Sequence, residues 1–337
     1  QKMLRVGIIG CGYWGPKLVR VFAENDRVAL IKCCDLEQSR LDKVTRSYPN
    51  VGTTRDYRDI VCASDIDAVV VATPVSTHYQ IAKEALENGK HVLIEKPITH
   101  SHKVAQELMA IATRRKRVVM VDHVFVYTHA VMKIRELVDS GELGEIYYMD
   151  FTRINLGLFQ QDVSVVWDLA CHDISIANYL LRTCPDQVSS VSISHFGGEL
   201  PNIAYINLLY GDNTIVHINV NWLAPVKVRM GLIGGSKKMI VYDDTEPSEK
   251  VKVYDKGVDV SMDLESRSKI LVDYRLGDVH VPKIDQVEAL QVMADHFIDC
   301  IETGQEPVSS GKEGMDIVRI LEACEESAEK GGQFITL

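Results

Sequence analysis

The sequence predicts an α/β protein with two parts: a doubly wound parallel sheet in the N-terminal third, then an α+β domain built on a large, mostly antiparallel open sheet. Three observations carry that expectation. Short apolar runs at Leu4–Ile9, Val28–Cys34, Ala68–Ala72 and Val118–Val121 alternate with helical patterns. This is how parallel strands buried on both faces read. From Ile146 onward the pattern changes to β-rich runs joined by short turns. The length of 337 residues exceeds what one ordinary core accommodates. The expected division is residues 1–122, a dinucleotide-binding domain, and residues 123–337, a substrate-binding and oligomerisation domain.

Composition narrows the function classes. Hydrophobic residues make up 46% of the chain and the formal net charge is −10. A phosphate backbone is gripped by clustered Lys and Arg, so nucleic acid is not an expected partner. The one basic cluster, Arg114–Arg117, reads as a solvated helix end. No apolar run approaches the roughly 18 residues of a membrane span, and no charged-then-apolar leader precedes the first strand. A cytoplasmic location is therefore expected. Eight cysteines lie scattered without Cys-x-x-Cys spacing or ligand histidines nearby. They read as reduced, mostly buried thiols, and no metal is expected.

The first strand, Leu4–Ile9, runs into Gly10-Cys11-Gly12-Tyr13-Trp14-Gly15 and then a helical pattern with Leu18, Val19 and Phe22. Gly10 allows the tight turn, Gly12 lets backbone approach a pyrophosphate, and Gly15 lets helix pack on strand. Phosphate would rest on the helix's N-terminal amides, with Tyr13 and Trp14 in the loop beside it. The second strand, Val28–Cys34, ends at Asp35, 35 − 15 = 20 residues after the last glycine. A ribose-binding acid belongs there. Its carboxylate accepts from the adenosine ribose hydroxyls and repels a 2′-phosphate, so NAD is expected over NADP, with Arg40 the nearest counter-signal. The whole constellation reads as a Rossmann fold.

The strand Ala68–Ala72 ends in Thr73-Pro74 before a helix with Ile81, Ala82, Ala85 and Leu86, closed by Gly89. Thr73 and Pro74 are expected against the dinucleotide. His78, in the first turn of that helix, fits either a ligand contact or a structural role. His91–Pro97 reads as a buried strand that stops at Glu95, Lys96 and Pro97. Ligands of doubly wound sheets bind beyond the strands' carboxyl ends, which is where Glu95 and Lys96 would lie. Pro97 cannot donate to a ladder and fixes a turn, cis or trans, that aims Lys96; the bland alternative is a surface Lys-Pro turn. The helix Val104–Ala112 and the strand Val118–Val121 complete this part.

After the helix Val131–Val138 come β-rich runs at Ile146–Ile154, Val188–His195, Ala204–Tyr210, Thr214–Trp222, Val228–Ile233 and Met239–Tyr242. Gly211-Asp212-Asn213 reads as a hairpin turn, and the tail gives helical patterns at Ala289–Ile301 and Met315–Ala328. One broad sheet needs covering, so helices are expected on one face and another subunit, in a homodimer or homotetramer, on the other. Within this part, Val165–Asp173 and the residues after it carry a helical period. Asp168 and His172 stand four apart, so on a helix they share a face. A carboxylate beside an imidazole orients it and favours its charged form, as a general acid/base requires. Asp168 as an N-cap with His172 on a polar face fits the spacing equally well.

Taken together, Gly10-x-Gly12-x-x-Gly15, Glu95-Lys96-Pro97 and Asp168-x-x-x-His172 resemble the glucose-fructose oxidoreductase, inositol dehydrogenase and rhizopine-catabolism (Gfo/Idh/MocA) family, over essentially the whole chain. The resemblance implies a nicotinamide-dependent oxidoreductase in which Lys96 and His172 flank the substrate carbon presented to nicotinamide. Gly12-Tyr13-Trp14-Gly15-Pro16, Arg153-Ile154-Asn155-Leu156-Gly157 and Trp167–Asp173 look like the branch that acts on the third carbon of sugar nucleotides, the UDP-N-acetylglucosamine 3-dehydrogenases and their uronic-acid counterparts. Cys171 departs from the proline or glycine expected in relatives.

The expected function is hydride transfer between NAD and a sugar-ring carbon of a nucleotide sugar, in amino-sugar or polysaccharide biosynthesis. His172 is assigned as acid/base, Asp168 as its orienter and Lys96 as the charge that meets a developing alkoxide, the roles of Lys96 and His172 being exchangeable. Arg153 and Asn155 are the expected substrate contacts, since arginine suits bidentate phosphate binding. Two other readings fit: a dehydrogenase of a free polyol or inositol, and an NAD-binding sensor without turnover.

Overall fold

Six short strands with apolar side chains on both faces build the first sheet. The structure, a computed structural model, describes residues 3–157, 163–198, 200–211, 213–255, 257–262, 270–275 and 277–337. Strands β1 (Leu4–Ile9), β2 (Val28–Cys34), β3 (Gly52–Thr54), β4 (Ala68–Val71), β5 (His91–Glu95) and β6 (Val119–Asp122) lie in the order β3-β2-β1-β4-β5-β6. Every neighbouring pair is parallel. The strand order reverses between β1 and β4, so the crevice at their carboxyl ends is the switch point where such sheets take ligands. Helices α1 (Gly15–Ala23), α2 (Gln38–Ser47), α3 (Arg58–Val61), α4 (Val75–Glu87) and α5 (His102–Arg115) make the crossovers. The α5 end, residues 113–117, is exposed as expected of the basic cluster.

The division expected at residues 122/123 is not the one found. The chain folds as two units: one runs up to Thr128 and takes in Val287–Glu322, and the other comprises His129–Gln286 and Ala323–Leu337. The tail returns to the first unit for identifiable reasons. In helix α8 (Ala289–Thr303) and just before it, Glu288, Asp295 and Asp299 pair with Arg20 and Arg27 at 2.5, 3.2 and 2.6 Å. Phe297 and Met293 are fully buried. Past α8, Ser309 Oγ donates to the Val121 carbonyl at 2.6 Å, and Val121 N donates to Ser309 O at 2.8 Å, so the tail extends the β6 edge. Helix α9 (Gly311–Glu329) then starts on two glycines pressed against the sheet and α5. A Cβ on Gly311 would lie 2.4 Å from Met109 Sδ, and one on Gly314 would lie 2.6 Å from Val121 Cγ2.

In the second unit, helix α6 (His129–Asp139) precedes β7 (Ile146–Leu156), and α7 (Cys171–Leu181) follows it. The strands β8 (Gln187–Ile193), β9 (Ile203–Tyr210), β10 (Thr214–Asn221), β11 (Leu223–Gly235), β12 (Met239–Asp243), β13 (Val251–Tyr254), β14 (Gly257–Met262), β15 (Ile270–Arg275), β16 (Val279–His280) and β17 (Ile335–Thr336) complete the order of elements. Nine of these strands form one sheet, β16-β13-β12-β11-β7-β10-β9-β8-β17, and β14 pairs with β15 separately. Only β7 and β10 run parallel within the nine; the other pairs are antiparallel. Tyr210 pairs with Thr214 across the expected hairpin, although Asp212 of its turn lies outside the described residues.

Alternation decides the two faces of this sheet. Ala204, Ile206 and Leu208 of β9, and Val216, Ile218 and Val220 of β10, are buried. Their neighbours Tyr205 and Ile215 are 49% and 43% exposed. All eight cysteines are free thiols; Cys62 is exposed, Cys184 is half-buried and the rest are buried. Among the described residues no helix is long and apolar enough to cross a membrane.

Because a Cβ on Gly314 would meet the stiff, fully buried β-branched side chains of Val121 and Ile98, Gly314→Val should lower stability by about 1–3 kcal/mol through overpacking. Equilibrium urea unfolding measures this; an unchanged midpoint would refute the packing described.

Candidate active site

The candidate site residues of the first unit lie at the sheet's carboxyl edge. Gly10 holds φ +99°, and a Cβ there would lie 2.3 Å from the Ala72 carbonyl oxygen; a Cβ on Gly15 would lie 2.3 Å from Gly10 O. Both glycines are dictated by internal packing. Gly12 is different: a Cβ there meets only the Arg40 guanidinium tip, at 3.6 Å. Its backbone therefore faces open space, the cradle a pyrophosphate needs. No side chain caps α1, whose N-cap is Trp14, leaving its first amides for an anion. Tyr13 is 81% exposed, and Lys17 Nζ stands 3.8 Å from the Trp14 ring centroid and 4.9 Å from that of Tyr13.

Asp35 ends β2 as the sequence expects. Its Oδ2 accepts from Cys11 N at 2.7 Å and its Oδ1 from Glu37 N at 2.9 Å, so the acid braces the glycine loop. Arg40 is turned onto acids: its Nη1 lies 3.5 Å from Asp35 Oδ2 and its Nη2 2.8 Å from Glu37 Oε1. These residues fit NAD: open Gly12 backbone, uncapped α1 amides and a carboxylate at the ribose position.

Thr73 and Pro74 lie where β4 turns into α4, with Thr77 Oγ1 donating to Pro74 O at 2.8 Å. His78 requires a correction, because it is wholly buried and both ring nitrogens are taken. Nδ1 lies 2.9 Å from Pro97 O and Nε2 lies 2.8 Å from Thr73 O. It ties the β4 and β5 turns together. Burial pushes this imidazole below its ordinary range, against the pull of the carbonyl oxygens. The inward orientation was visible in the sequence: His78 shares the face of Ile81, Ala82 and Ala85.

Lys96, half-buried, follows β5, and the Lys96–Pro97 bond is cis. Glu95, half-buried, ends β5. It is in register with Asp122 on β6, and Glu95 Oε1 and Asp122 Oδ1 are both enclosed away from solvent. Sequence reasoning missed Asp122 and the buried His123 beside it; only strand register reveals them.

In the second unit the stretch carrying Asp168 and His172 is not one continuous α-helix. Val166–Ala170, with Asp168, forms a π-turn, and α7 begins at Cys171 with His172 in its first turn. π-turns recur at functional sites. Asp168 is not an N-cap: its Oδ2 accepts from Trp222 Nε1 at 3.3 Å, and Trp167 Nε1 anchors the turn on Glu325 at 2.7 Å. Asn155, half-buried near the end of β7, lies beside Gly157, and Gly157 N donates to Trp222 O at 3.0 Å. Trp222, at the end of β10, is thus a site residue that sequence reasoning left among strand positions.

Arg153 is the second correction. The alternation of β7 places it with Met149 and Phe151 on the covered face, and the guanidinium is closed by Asp173. Its Nε lies 3.1 Å from both Asp173 oxygens and its Nη2 2.7 Å from Oδ1. Both side chains are at most 5% exposed. Burial works against the guanidinium charge and the carboxylate more than offsets it, so Arg153 stays protonated. The pair bolts α7 to β7, and Arg153 does not reach for diphosphate.

Comparison with known proteins agrees with this architecture. The oxidoreductase family with an NAD-binding Rossmann fold, Gfo/Idh/MocA, matches residues 4–123, and the Gfo/Idh/MocA C-terminal domain matches residues 131–241. The chain is 24% identical to the uncharacterized oxidoreductase YrbE of Bacillus subtilis, covering 98% of this chain and 96% of YrbE. It is 26% identical to the inositol 2-dehydrogenase of Rhodococcus erythropolis over 68% of this chain and 69% of that one. Among solved structures, the UDP-N-acetylglucosamine 3-dehydrogenase GnnA of Acidithiobacillus ferrooxidans superposes with a TM-score of 0.82 at 19% identity, covering 98% of this chain and 99% of that one.

Two outcomes follow from this geometry. NADH should bind more tightly than NADPH, because Asp35 repels a 2′-phosphate; a lower NADPH dissociation constant would overturn the role of Asp35. Asp173→Ala should destabilise the second unit by about 3–5 kcal/mol, since it strands a buried guanidinium. Denaturant unfolding followed by Trp fluorescence reads that loss, and a change near zero would mean the ion pair is not what holds α7.

Proposed function

We propose that this chain, which belongs to the Gfo/Idh/MocA family of NAD-binding oxidoreductases, transfers a hydride between NAD and the third ring carbon of a nucleotide sugar such as UDP-N-acetylglucosamine. The observation that carries the substrate class is local sequence: Gly12–Pro16, Arg153–Gly157 and Trp167–Asp173 resemble the sugar-nucleotide branch. The likeness to GnnA supports it at the level of fold.

NAD, when bound, supplies the hydride acceptor or donor. The chain's residues do the rest. Gly12 and the first α1 amides hold the pyrophosphate, and Asp35 takes the ribose hydroxyls. His172 removes the proton of the substrate hydroxyl at its imidazole, or returns it in the reducing direction. Asp168, fixed by Trp222, orients His172. The Lys96 ammonium meets the charge that develops on the substrate oxygen. Asn155 is left as the polar substrate contact once Arg153 is assigned to Asp173.

The second reading, a cyclic polyol as substrate, is favoured by the inositol 2-dehydrogenase among the relatives. The same Lys96, Asp168 and His172 would serve it. We further propose that a second copy of the chain covers the exposed face carrying Tyr205 and Ile215.

Reduced-nicotinamide absorbance with NAD, UDP-N-acetylglucosamine and a carbonyl trap tests the substrate. The expected rise should fall by roughly 10²–10⁴ in His172→Ala. A rise with free inositol and none with the nucleotide sugar would select the second reading. Sedimentation velocity should show a dimer or tetramer that Tyr205→Glu with Ile215→Glu dissociates; a monomeric wild type would refute the covered face.

A further inference from the structure

The strand ends of β5 and β6 place two carboxyl groups side by side next to the residue assigned to meet substrate charge. Glu95 and Asp122 are register partners on neighbouring parallel strands, so their side chains leave the sheet on the same face as neighbours. Glu95 Oε1 and Asp122 Oδ1 have no hydrogen-bond partner and no solvent access. Lys96 follows Glu95 directly, and its charge acts on Glu95, Asp122 and His123 alike. None of the other roles assigned above uses Asp122.

Elementary electrostatics limits what this pair can be. Two enclosed carboxylates in contact cannot both ionise without severe repulsion. A proton on Glu95 can be donated to Asp122, and the Lys96 ammonium beside them favours keeping the other carboxyl ionised. Burial, and then the Asp122 charge, hold Glu95 well above the ordinary carboxylic range; burial also raises Asp122. Burial moves the other titratable groups on adjoining segments away from neutrality. His123, fully buried, is pushed down to about 3 by burial and then by the Lys96 charge. His78 is lowered by burial, and Tyr127, whose hydroxyl lies 2.8 Å from Ser309 Oγ, is raised by it.

We propose that Glu95 and Asp122 share one proton and present Lys96 with a single negative charge, which keeps Lys96 an ammonium throughout the neutral range. Asp122 is then a positioning residue that acts on Lys96's charge from beneath. The consequence for the reaction is a division of labour: Lys96 serves as a fixed cation, and the proton that moves at neutral pH moves through His172. This rests on the reading of Lys96 as the charge opposite the substrate oxygen, but its test needs no substrate and fails or succeeds separately.

The sign is opposite to simple removal of one acid. Either single variant, Glu95→Gln or Asp122→Asn, leaves one carboxyl that can ionise, so Lys96 keeps its counter-charge. The double variant removes the charge, and the Lys96 pKa should fall by at least about one unit, a tenfold rise in free amine at a fixed pH. The rate of acylation of Lys96 by a neutral amine reagent, followed against pH by mass spectrometry of its peptide in the full-length protein, measures this. Expected is tenfold faster labelling in the double variant and near-wild-type rates in each single variant. Wild-type labelling in the double variant would overturn the proposal, and so would a large increase in either single variant. Infrared difference spectra at neutral pH give a second readout that does not need the double variant to fold. A protonated-carboxyl stretch should be present in the wild type and lost in Glu95→Gln; its absence from the wild type would equally overturn the shared proton.

Discussion

The absence of a side chain at Gly10 is the constraint on which the first unit turns. A Cβ at that position would lie 2.3 Å from the Ala72 carbonyl oxygen, so only glycine lets the β1 turn close against the end of β4. That closure lets Gly15 start α1 directly over Gly10 and presents Gly12's backbone to open space. Asp35 then does two jobs with one carboxylate. It accepts the Cys11 amide, which fixes the loop, and it stands where a ribose must bind. The group that fixes the loop is thus the one expected to set cofactor choice.

Both units place charge in low dielectric, with different outcomes. In the second unit, Arg153 and Asp173 neutralise each other completely, so the pair serves architecture and holds the first turns of α7 against β7. In the first unit, like charges meet: Glu95 and Asp122 stand together with Lys96 adjoining. A matched ion pair can be spent on rigidity, whereas a mismatched trio must redistribute protons. Strongly perturbed carboxyls beside a lysine mark functional ground more than structural ground.

The parallel sheet was legible because strands buried on both faces leave unbroken apolar runs, as in Ala68–Val71, where every residue is buried. The glycine turn and Asp35 were legible because their spacing is fixed by one strand, one helix and one more strand. Arg153 was misread although the information was present, since the parity that buries Met149 and Phe151 also buries residue 153. Other features lay beyond any local signal. Trp222 meets Asp168 only because β10 ends near the turn before α7, and Asp122 meets Glu95 only through strand register. The return of Val287–Glu322 to the first unit brings together residues far apart in sequence, burying Met293 and Phe297 and pairing Arg27 with Asp299. The π-turn at Val166–Ala170 keeps the apolar spacing of a helix while altering its hydrogen bonds, so periodicity alone reads it as α.

The central claim is that a hydride leaves the third carbon of a nucleotide sugar for NAD. The most direct measurement is the isotopic content of the reduced nicotinamide formed from UDP-N-acetylglucosamine deuterated at that carbon. The account predicts that each reduced nicotinamide carries the deuterium and that the reaction is slower than with the unlabelled sugar. Reduced nicotinamide without deuterium would place the chemistry at another carbon and contradict the substrate assignment.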